Sequence, residues 1–415
     1  MIATIPPALD AQLVSPAFYQ DPYPVFDQLR AEAPVAWSES TGAWVITRYE
    51  HVQATMLDPL RFSSQGRLSG ALERFTPEVR AQFKPLEDHF AIGLIGSDPP
   101  NHTRLRALIN KAFVPRVVDG MRARLQSLID ELIDQALPQG HMDVVRDFAY
   151  PLPATVISEL LGAPSDQRDN FKRWSDGILA FQGSGTASVE LVADAQRDLL
   201  EMRAFLKELI AERRAQPRED LLSRLVEAES EGERLSSAEL LVICVTLLTA
   251  GHETTTNLIA NALYTLLRHP EQMEALRQDP SRMPSAIEEV LRYEGPLQRN
   301  PRRAAADFEF GGQQLRRNDY LMPLLGAANR DPLAFSEPNR FDINRQPNRH
   351  IAFGQGIHFC VGAPLARLEG QLALNTLLRR LPSLRLAAPA PTIEWKQHPH
   401  FRALQALPVA FEPLS

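Results

Sequence analysis

The sequence predicts a mainly α fold with small β-sheets (α+β), and three patterns indicate it. Apolar residues recur three and four positions apart through most of the stretch between residues 99 and 268, which is typical of amphipathic helices. Apolar and polar residues instead alternate on both sides of a Ser-Thr-Gly turn at residues 40–42, which indicates a small hairpin followed by a helix. Further strand-like segments lie at residues 308–324 and 391–413. Helices therefore dominate, and the strands form small sheets.

Two segments of the chain differ from the pattern around them. The stretch from Phe62 to Gly96 is long and weakly periodic, which predicts a functional loop. Ser236 and Glu239 form a capping-box pair, and the helical pattern that they begin continues to about Arg268. At about 1.5 Å per residue this helix is close to 50 Å long, enough to cross the molecule.

Composition restricts the class of protein. Among 415 residues there are 44 Lys and Arg against 51 Asp and Glu, so the chain lacks the basic excess of a nucleic-acid-binding protein. Two cysteines allow one disulfide at most, which predicts a reducing, cytoplasmic setting. The N-terminal stretch has neither an export signal nor a membrane anchor. No linker or repeat divides the chain, so we expect one domain over residues 1–415.

The most unusual stretch, FGQGIHFCVG, places Cys360 among glycines. One interpretation of Cys360 is a buried structural cysteine, but such a residue does not need these glycines. The same interpretation fits Cys244, which lies in an apolar run. A nucleophile with His358 as its base is disfavoured, because residues two apart on an extended backbone point to opposite faces. A thiolate ligand to a flat metal cofactor remains, with the glycines giving close approach and a following helix N-terminus holding the sulfur as thiolate. Without a second Cys or His at metal spacing from Cys360, a zinc or iron–sulfur site at this cysteine is excluded.

This stretch resembles the haem-ligand signature of the cytochrome P450 family. The resemblance implies a triangular, helix-rich domain with a long central helix over haem b, and Cys360 as the axial ligand of the iron. It also implies that Phe353 and Gly354 shape the bed for the haem and that His358 reaches a propionate.

Other motifs match the family in the same order along the chain. His102 and Arg106 in DPPNHTRLR are a solvated helical pair on their own, but the resemblance assigns them to the haem propionates. It assigns Arg302 the same role, with neighbouring Arg303 as the alternative register. The family's E-x-x-R motif has its counterpart in Glu289 and Arg292, and EPNRFD supplies Arg340 as the third member of a buried structural cluster.

The stretch LTAGHETTTN interrupts the apolar helix with small and polar residues. Glycine weakens a helix and threonines can bond back to carbonyls and open it, so a kinked core helix is one interpretation. The resemblance gives another, the oxygen-activation motif. Ala250 and Gly251 then leave room for dioxygen, Thr254 offers a hydroxyl to it, and Glu253 connects that hydroxyl to solvent protons.

The implied activity is monooxygenation of an apolar small molecule with O2. No length is left for a fused reductase, so we expect electrons from a ferredoxin or flavodoxin with its NAD(P)H-dependent reductase, and a monomer that binds neither nucleic acid nor membrane. Basic residues on the ligand side, Lys111, Arg349 and Arg367, are candidates for docking such a partner or are ordinary solvated charges. A haem sensor and a peroxide-driven enzyme are the alternatives, and the Glu253–Thr254 pair argues against both.

The substrate is less well specified. Six residues are candidates for lining its site, and they mix apolar with polar side chains: Thr246, Thr249, Leu297, Gln298, Asn300 and Phe401. The segment from Phe62 to Gly96 and the turn GSGTAS at residues 183–188 are predicted to form a mobile lid. A medium-sized apolar molecule with a few polar groups fits this lining, such as a fatty acid, terpenoid, steroid or polyketide.

Overall fold

The fold is described from a computed structural model, which covers residues 3–67, 69–113, 115–183, 187–230, 235–387 and 392–412. Helices account for most of these residues. Their bounds are α1 Pro7–Asp10, α2 Pro16–Gln20, α3 Tyr23–Glu32, α4 Tyr49–Leu57, α5 Pro77–Gln82, α6 Lys84–Ala91, α7 Asn101–Ala112, α8 Pro115–Gly120, α9 Arg122–Ala136, α10 Pro151–Leu160, α11 Arg168–Gly183, α12 Val189–Ala215, α13 Leu221–Ser230, α14 Ser237–Arg268, α15 Pro270–Gln278, α16 Met283–Tyr293, α17 Leu325–Ala328 and α18 Ala363–Arg380.

Short strands lie near the two ends of the chain, with β4 between them in the helical middle. Their bounds are β1 Val35–Ser38, β2 Ala43–Ile46, β3 Phe62–Ser63, β4 His141–Asp143, β5 Arg302–Ala304, β6 Phe308–Phe310, β7 Gln313–Leu315, β8 Tyr320–Pro323, β9 Arg385–Leu386 and β10 Pro408–Ala410. They form a five-stranded sheet in the order β1-β2-β8-β5-β3, a three-stranded sheet in the order β4-β10-β9 and the hairpin β6-β7. The β2–β8 pair is parallel and the other pairs are antiparallel. The prediction of a mainly α fold with small β-sheets is confirmed.

The predicted capping box is present at the start of α14. The Ser236 hydroxyl accepts from the Glu239 amide at 3.2 Å, and the Ser236 amide donates to the Glu239 carboxylate at 2.8 Å. From there the helix continues without a break for 32 residues. It packs against α10, α18, α16 and α12, so it runs through the largest hydrophobic core.

The segment from Phe62 to Gly96 is not the loop that its weak periodicity predicted. It contains β3, the helices α5 and α6, and 3₁₀ turns at Gly70–Arg74 and Leu94–Gly96. Each piece is only one or two turns long, too short to show a helical period, and α5 is started by the Thr76 side chain and a proline in its first turn. In the second predicted lid segment, residues 184–186 lie outside the described residues.

Candidate active site

Cys360 lies at the end of a tight loop, just before α18 begins. Its backbone N–H donates to the Phe353 carbonyl at 3.0 Å. Gly354 and Gly356 have φ angles of +69° and +66°, which residues with a Cβ rarely adopt. A Cβ at Gly356 would also lie 2.4 Å from the Met56 carbonyl oxygen. The two glycines therefore fix the turn that carries the sulfur.

The electrostatic environment of Cys360 combines opposing effects. Burial raises the pKa of its thiol, and the amides of Gly362 and Ala363 and the Arg106 guanidinium oppose that rise without cancelling it. The amides at the start of α18 therefore favour the thiolate, as predicted, but do not by themselves outweigh burial. A coordinated metal ion would supply the missing positive charge, because it deprotonates the thiol that it binds.

The other cysteine has a different surrounding. Cys244 is fully buried in α14, and burial raises the pKa of its thiol to about 12. It acts as a small apolar side chain in the core.

Five basic side chains gather beside the cysteine loop, and we call them the basic cluster: Arg67, His102, Arg106, Arg302 and His358. Burial, then repulsion from the other four members, lowers the pKa of His358 to about 2. The His358 ring lies 4.3 Å from that of His102, centroid to centroid, and its Nε2 lies 3.0 Å from the Ser64 hydroxyl. Arg106 donates to the Phe359 carbonyl at 2.6 Å, beside the cysteine. Four of the five members were predicted, and the structure brings them together.

Strand β5 separates Arg302 from Arg303. Arg302 is buried and donates to the Pro301 carbonyl and the Asn300 amide oxygen, each at 2.8 Å. Burial, and then repulsion from Arg67, lowers its pKa well below the usual range. Arg303 instead pairs with Glu73 at 2.9 Å. Successive strand residues point to opposite faces, so only Arg302 belongs to the basic cluster.

Arg67 is the member that sequence reasoning missed. It lies in the turn after β3 and donates to the Asn300 amide oxygen at 2.5 Å. No motif marks it, and only its place in the segment from Phe62 to Gly96 hinted at a role. The same contact involves Asn300, which was predicted to line the substrate site: its amide oxygen accepts from both Arg67 and Arg302.

The basic cluster carries more positive charge than the described side chains around it balance. The carboxylate of Asp98, which acts on Arg302, already accepts from the Ser63 hydroxyl and the Ser64 amide. Within the described part of the chain, Nε of Arg67 and both ring nitrogens of His102 are buried without a hydrogen-bond partner. The two propionate carboxylates of haem would supply both the charge and the acceptors, so the residues fit this cofactor.

The threonines of α14 bond to the helix itself. Thr254 donates to the Ala250 carbonyl at 2.9 Å, and Thr255 donates to that of Gly251 at 3.2 Å. The predicted back-bonding is present, but the helix is continuous rather than opened. A Cβ on Gly251 would lie 3.2 Å from Ile157 of α10, so this glycine permits close packing of the two helices. Ala250 is exposed to the cavity beside it.

Glu253 lies on the same helix, largely buried. Its carboxylate accepts from the Asn257 amide at 3.3 Å and lies 3.8 Å from Lys396 Nζ. Burial alone would raise its pKa, but Lys396, His252 and Asn257 outweigh burial, and the pKa is lowered. The carboxylate is therefore ionised at neutral pH and able to accept a proton.

The predicted substrate residues do not line one cavity. Thr246, Thr249 and Ala250 line a cavity between α14, α6 and α11, together with His89 and Phe90. Gln298 and Phe401 line another, whose remaining walls come from the N-terminal helices and the C-terminal segment: Phe18, Tyr19, Pro22, Phe26, Trp395 and their neighbours. Leu297 forms an isolated β-bridge with Phe401. The first cavity, beside Thr254, is the better candidate for substrate.

The buried structural cluster has a different third member from the one predicted. Arg292 forms two hydrogen bonds with Glu289, at 2.7 and 2.8 Å, and both side chains are fully buried. Arg345 completes the cluster with Nε 3.1 Å from the Glu289 carboxylate. Arg340 is wrong in this role, because its side chain is 60% exposed and pairs with Glu337. Only its backbone carbonyl enters the cluster, accepting from Arg292 and Arg345.

The three candidate docking cations also differ. Lys111 and Arg349 are exposed. Arg367 forms two hydrogen bonds with Glu288, at 2.7 and 2.8 Å, and its guanidinium lies 4.6 Å from the centre of the Phe353 ring. Arg367 therefore holds the cysteine loop in place and is not a free surface charge.

Comparison with known proteins agrees with this site. The chain matches the family model described as Cytochrome P450 over residues 72–391. It is 43% identical to Cytochrome P450 107B1 of Saccharopolyspora erythraea, over 95% of this chain and 96% of that protein. It is 42% identical to Cytochrome P450 monooxygenase PikC of Streptomyces venezuelae, over 97% of this chain and 94% of that protein.

A solved structure is similar over nearly the whole chain. It is P450BioI in complex with an acyl carrier protein ligated to hexadec-9Z-enoic acid, at a TM-score of 0.88 and 36% identity, covering 96% of this chain and 99% of that one. Among the described residues, no helix has the length and apolar character needed to cross a membrane. The basic cluster lies beside a cysteine in a glycine-containing loop, and the similarities to known proteins agree with that site: the chain belongs to the cytochrome P450 family.

Proposed function

We propose that Cys360 is the cysteine whose thiolate binds haem b in this P450 monooxygenase, and that Glu253 and Thr254 supply the protons for the reaction. One observation carries the proposal. Within the described part of the chain, the sulfur lies beside the basic cluster, whose positive charge exceeds that of its carboxylate neighbour Asp98, as the binding of two propionates requires.

The chemistry divides between the cofactor and the chain. When bound, haem b activates dioxygen, so that one oxygen atom enters the substrate and the other leaves as water. The basic cluster would hold the propionates, and the Cys360 sulfur would hold the iron. Asn300 would orient two of the arginines, because its amide oxygen accepts from both Arg67 and Arg302.

Proton supply would use two side chains of α14. The Thr254 hydroxyl donates to the Ala250 carbonyl, and its oxygen can still accept a proton from one side. During the reaction, its own proton would turn from that carbonyl into the cavity. Glu253 is ionised at neutral pH and lies beside Lys396, which is partly exposed. It can therefore collect a proton from the solvent side and pass it towards Thr254.

The two cysteines give a matched test of the ligand. Cys360→Ala is expected to abolish the red-shifted Soret band of the reduced, carbon-monoxide-treated protein, whereas Cys244→Ala keeps it. A Cys360→Ala protein that retained this band would overturn the assignment.

Neighbouring threonines test the proton supply. Thr254→Ala is expected to release more peroxide per electron pair while keeping haem. Thr255→Ala is the control, because Thr255 is buried, whereas Thr254 is partly exposed. Equal coupling of product to NADPH in both variants would contradict the role of Thr254.

The substrate we propose is a medium-sized, mostly apolar molecule such as a fatty acid, terpenoid, steroid or polyketide. Two observations support it: the cavity beside Ala250 mixes apolar side chains with Thr246, Thr249 and His89, and the similar structure P450BioI carries an unsaturated fatty acyl group. Binding spectra over a panel of these compounds would identify the class. Turnover with peroxide alone would favour the peroxygenase alternative, and absence of turnover with a surrogate reductase would favour a haem sensor.

For electron supply we propose a ferredoxin or flavodoxin in the cytoplasm, which docks on a single-domain monomer over residues 1–415. The exposed Lys111 and Arg349 support this, since an acidic partner would be attracted to them. Rising ionic strength is expected to slow reduction of the iron. A reduction rate independent of salt would count against electrostatic docking.

A further inference from the structure

A second group of metal-binding side chains lies where α14 packs against α11. It consists of Asp176, His252 and Glu253, and we call it the acid–histidine group. One ring nitrogen of the histidine and one carboxylate oxygen of each acid all lie within 4.8 Å of one another. Haem binding uses none of these three side chains, so the group needs a separate explanation.

His252 provides the second observation. Its side chain is 2% exposed, and Nδ1 lies 2.7 Å from the Leu248 carbonyl. Within the described ranges of the chain, Nε2 is buried and has no hydrogen-bond partner. Donation from Nδ1 to a carbonyl leaves the lone pair on Nε2, which is how proteins commonly orient a metal-binding imidazole. Burial also lowers the pKa of His252, so the ring is neutral and able to bind a metal.

Two lysines currently face the carboxylates. Lys172 pairs with Asp176 one helical turn away, and Lys396 Nζ lies 3.8 Å from Glu253. The first is an exposed pair on one helix face, which contributes little to stability. Both lysines have long, flexible side chains, and Asp176 is exposed. A divalent ion can therefore enter from solvent and displace the two ammonium groups.

We propose that the acid–histidine group binds a divalent transition metal ion, with Zn²⁺ as the ion that suits it best. Zinc accepts both imidazole nitrogen and carboxylate oxygen as ligands, and with three protein ligands water would take the fourth position. Tetrahedral zinc needs its ligand atoms about 3.4 Å apart, so the carboxylates must approach by roughly 1 Å. The exposed Asp176 can make that adjustment.

Occupation of the site would affect turnover, and this part rests on the proposed proton role of Glu253. A carboxylate that coordinates zinc cannot also carry protons. Zinc is therefore expected to slow product formation and to leave haem ligation unchanged.

The experiment is titration calorimetry of Zn²⁺ into the haem-loaded protein. We expect one zinc per chain, and Mg²⁺, which prefers oxygen ligands, gives no comparable binding. His252→Gln and Asp176→Asn should each weaken binding at least about tenfold, because even the loss of an outer-shell partner has an effect of that size. Asp169→Asn is the matched control, since Asp169 is an exposed acid on the same helix that lies outside the group.

The outcomes separate the metal site from the proton role. The Soret band verifies that each variant is folded with haem, and the exposed Asp176 gives a test even where His252→Gln fails to fold. Absence of stoichiometric zinc binding, or equal affinity in wild type and both variants, overturns the site. Stoichiometric binding that depends on both residues but leaves turnover and coupling unchanged supports the site and overturns the proton role of Glu253.

Discussion

Two clusters of charged side chains in this protein differ in how their charges are balanced. In the cluster of Glu289, Arg292 and Arg345, the carboxylate lies between two guanidiniums, and backbone carbonyls accept the remaining N–H groups. In the basic cluster, five basic side chains lie close together, and several of their nitrogens have no partner among the described residues.

This difference indicates two kinds of function. A buried charge is stable only when it is paired and hydrogen-bonded, so the balanced cluster is complete and structural. The basic cluster lacks such pairing among the described residues, and the carboxylates of the proposed haem would complete it. The following predictions test that contrast, from the largest expected effect to the smallest.

Removing the shared carboxylate should have the largest effect. Glu289→Gln leaves two buried guanidiniums without a counter-charge, which is expected to lower the free energy of unfolding by about 3–5 kcal/mol. Urea unfolding followed by circular dichroism measures it. Glu337→Gln, at the exposed acid beside Arg340, is the control, and a similar loss there would contradict the contrast.

Arg345, the third member of the balanced cluster, can be tested against Arg340, which the sequence predicted for that place. Arg345→Leu is expected to lower the free energy of unfolding by about 2–3 kcal/mol, because it removes charge-assisted hydrogen bonds to Glu289 and to three carbonyls. Arg340→Leu should change it by less than about 0.5 kcal/mol. Equal losses in the two variants would show that Arg340 contributes to the cluster through its side chain after all.

Arg302 and Arg303 test the incomplete cluster in the same way. Arg302→Leu is expected to speed the transfer of haem to apomyoglobin on the order of tenfold, because it removes one charge-assisted hydrogen bond to a propionate. Arg303→Leu is expected to leave the transfer rate unchanged. Identical haem transfer in the Arg302 and Arg303 variants would remove Arg302 from the propionate site.

The smallest effect concerns pH. Burial opposes ionisation of Glu288, but hydrogen bonds from Arg367 and His350 outweigh burial and lower its pKa to about 2. An acid with a lowered pKa in the folded state stabilises the protein above its unfolded pKa of about 4.5, and this stability is lost as the pH falls towards 2. We expect Glu288→Gln to remove on the order of 1–2 kcal/mol at pH 6 and progressively less towards pH 3, as urea unfolding at several pH values will measure. A loss that stayed constant over this range would show that the carboxylate charge has no part in it.

Much of this protein could be predicted from residues close together in the chain. Three features depend on the spacing of residues close together in the sequence: the capping box at Ser236, the hairpin at residues 35–46 and the glycine-containing loop of Cys360. Such local motifs can be recognised without knowing which distant elements pack against them. The helical period failed for the segment from Phe62 to Gly96 because its helices are shorter than the window in which a period can be recognised.

The sequence by itself determined the type of fold, the cysteine and most of the basic cluster, because these follow from periodicity and from motifs a few residues long. Only the tertiary structure decided that Arg345 rather than Arg340 completes the balanced cluster, that Arg67 joins Arg302, and that Asn300 orients both. The physical reason is distance along the chain: Arg67 and Asn300 are 233 residues apart. No local pattern records which side chains a fold brings within hydrogen-bonding range, or which of those charges it leaves without a partner.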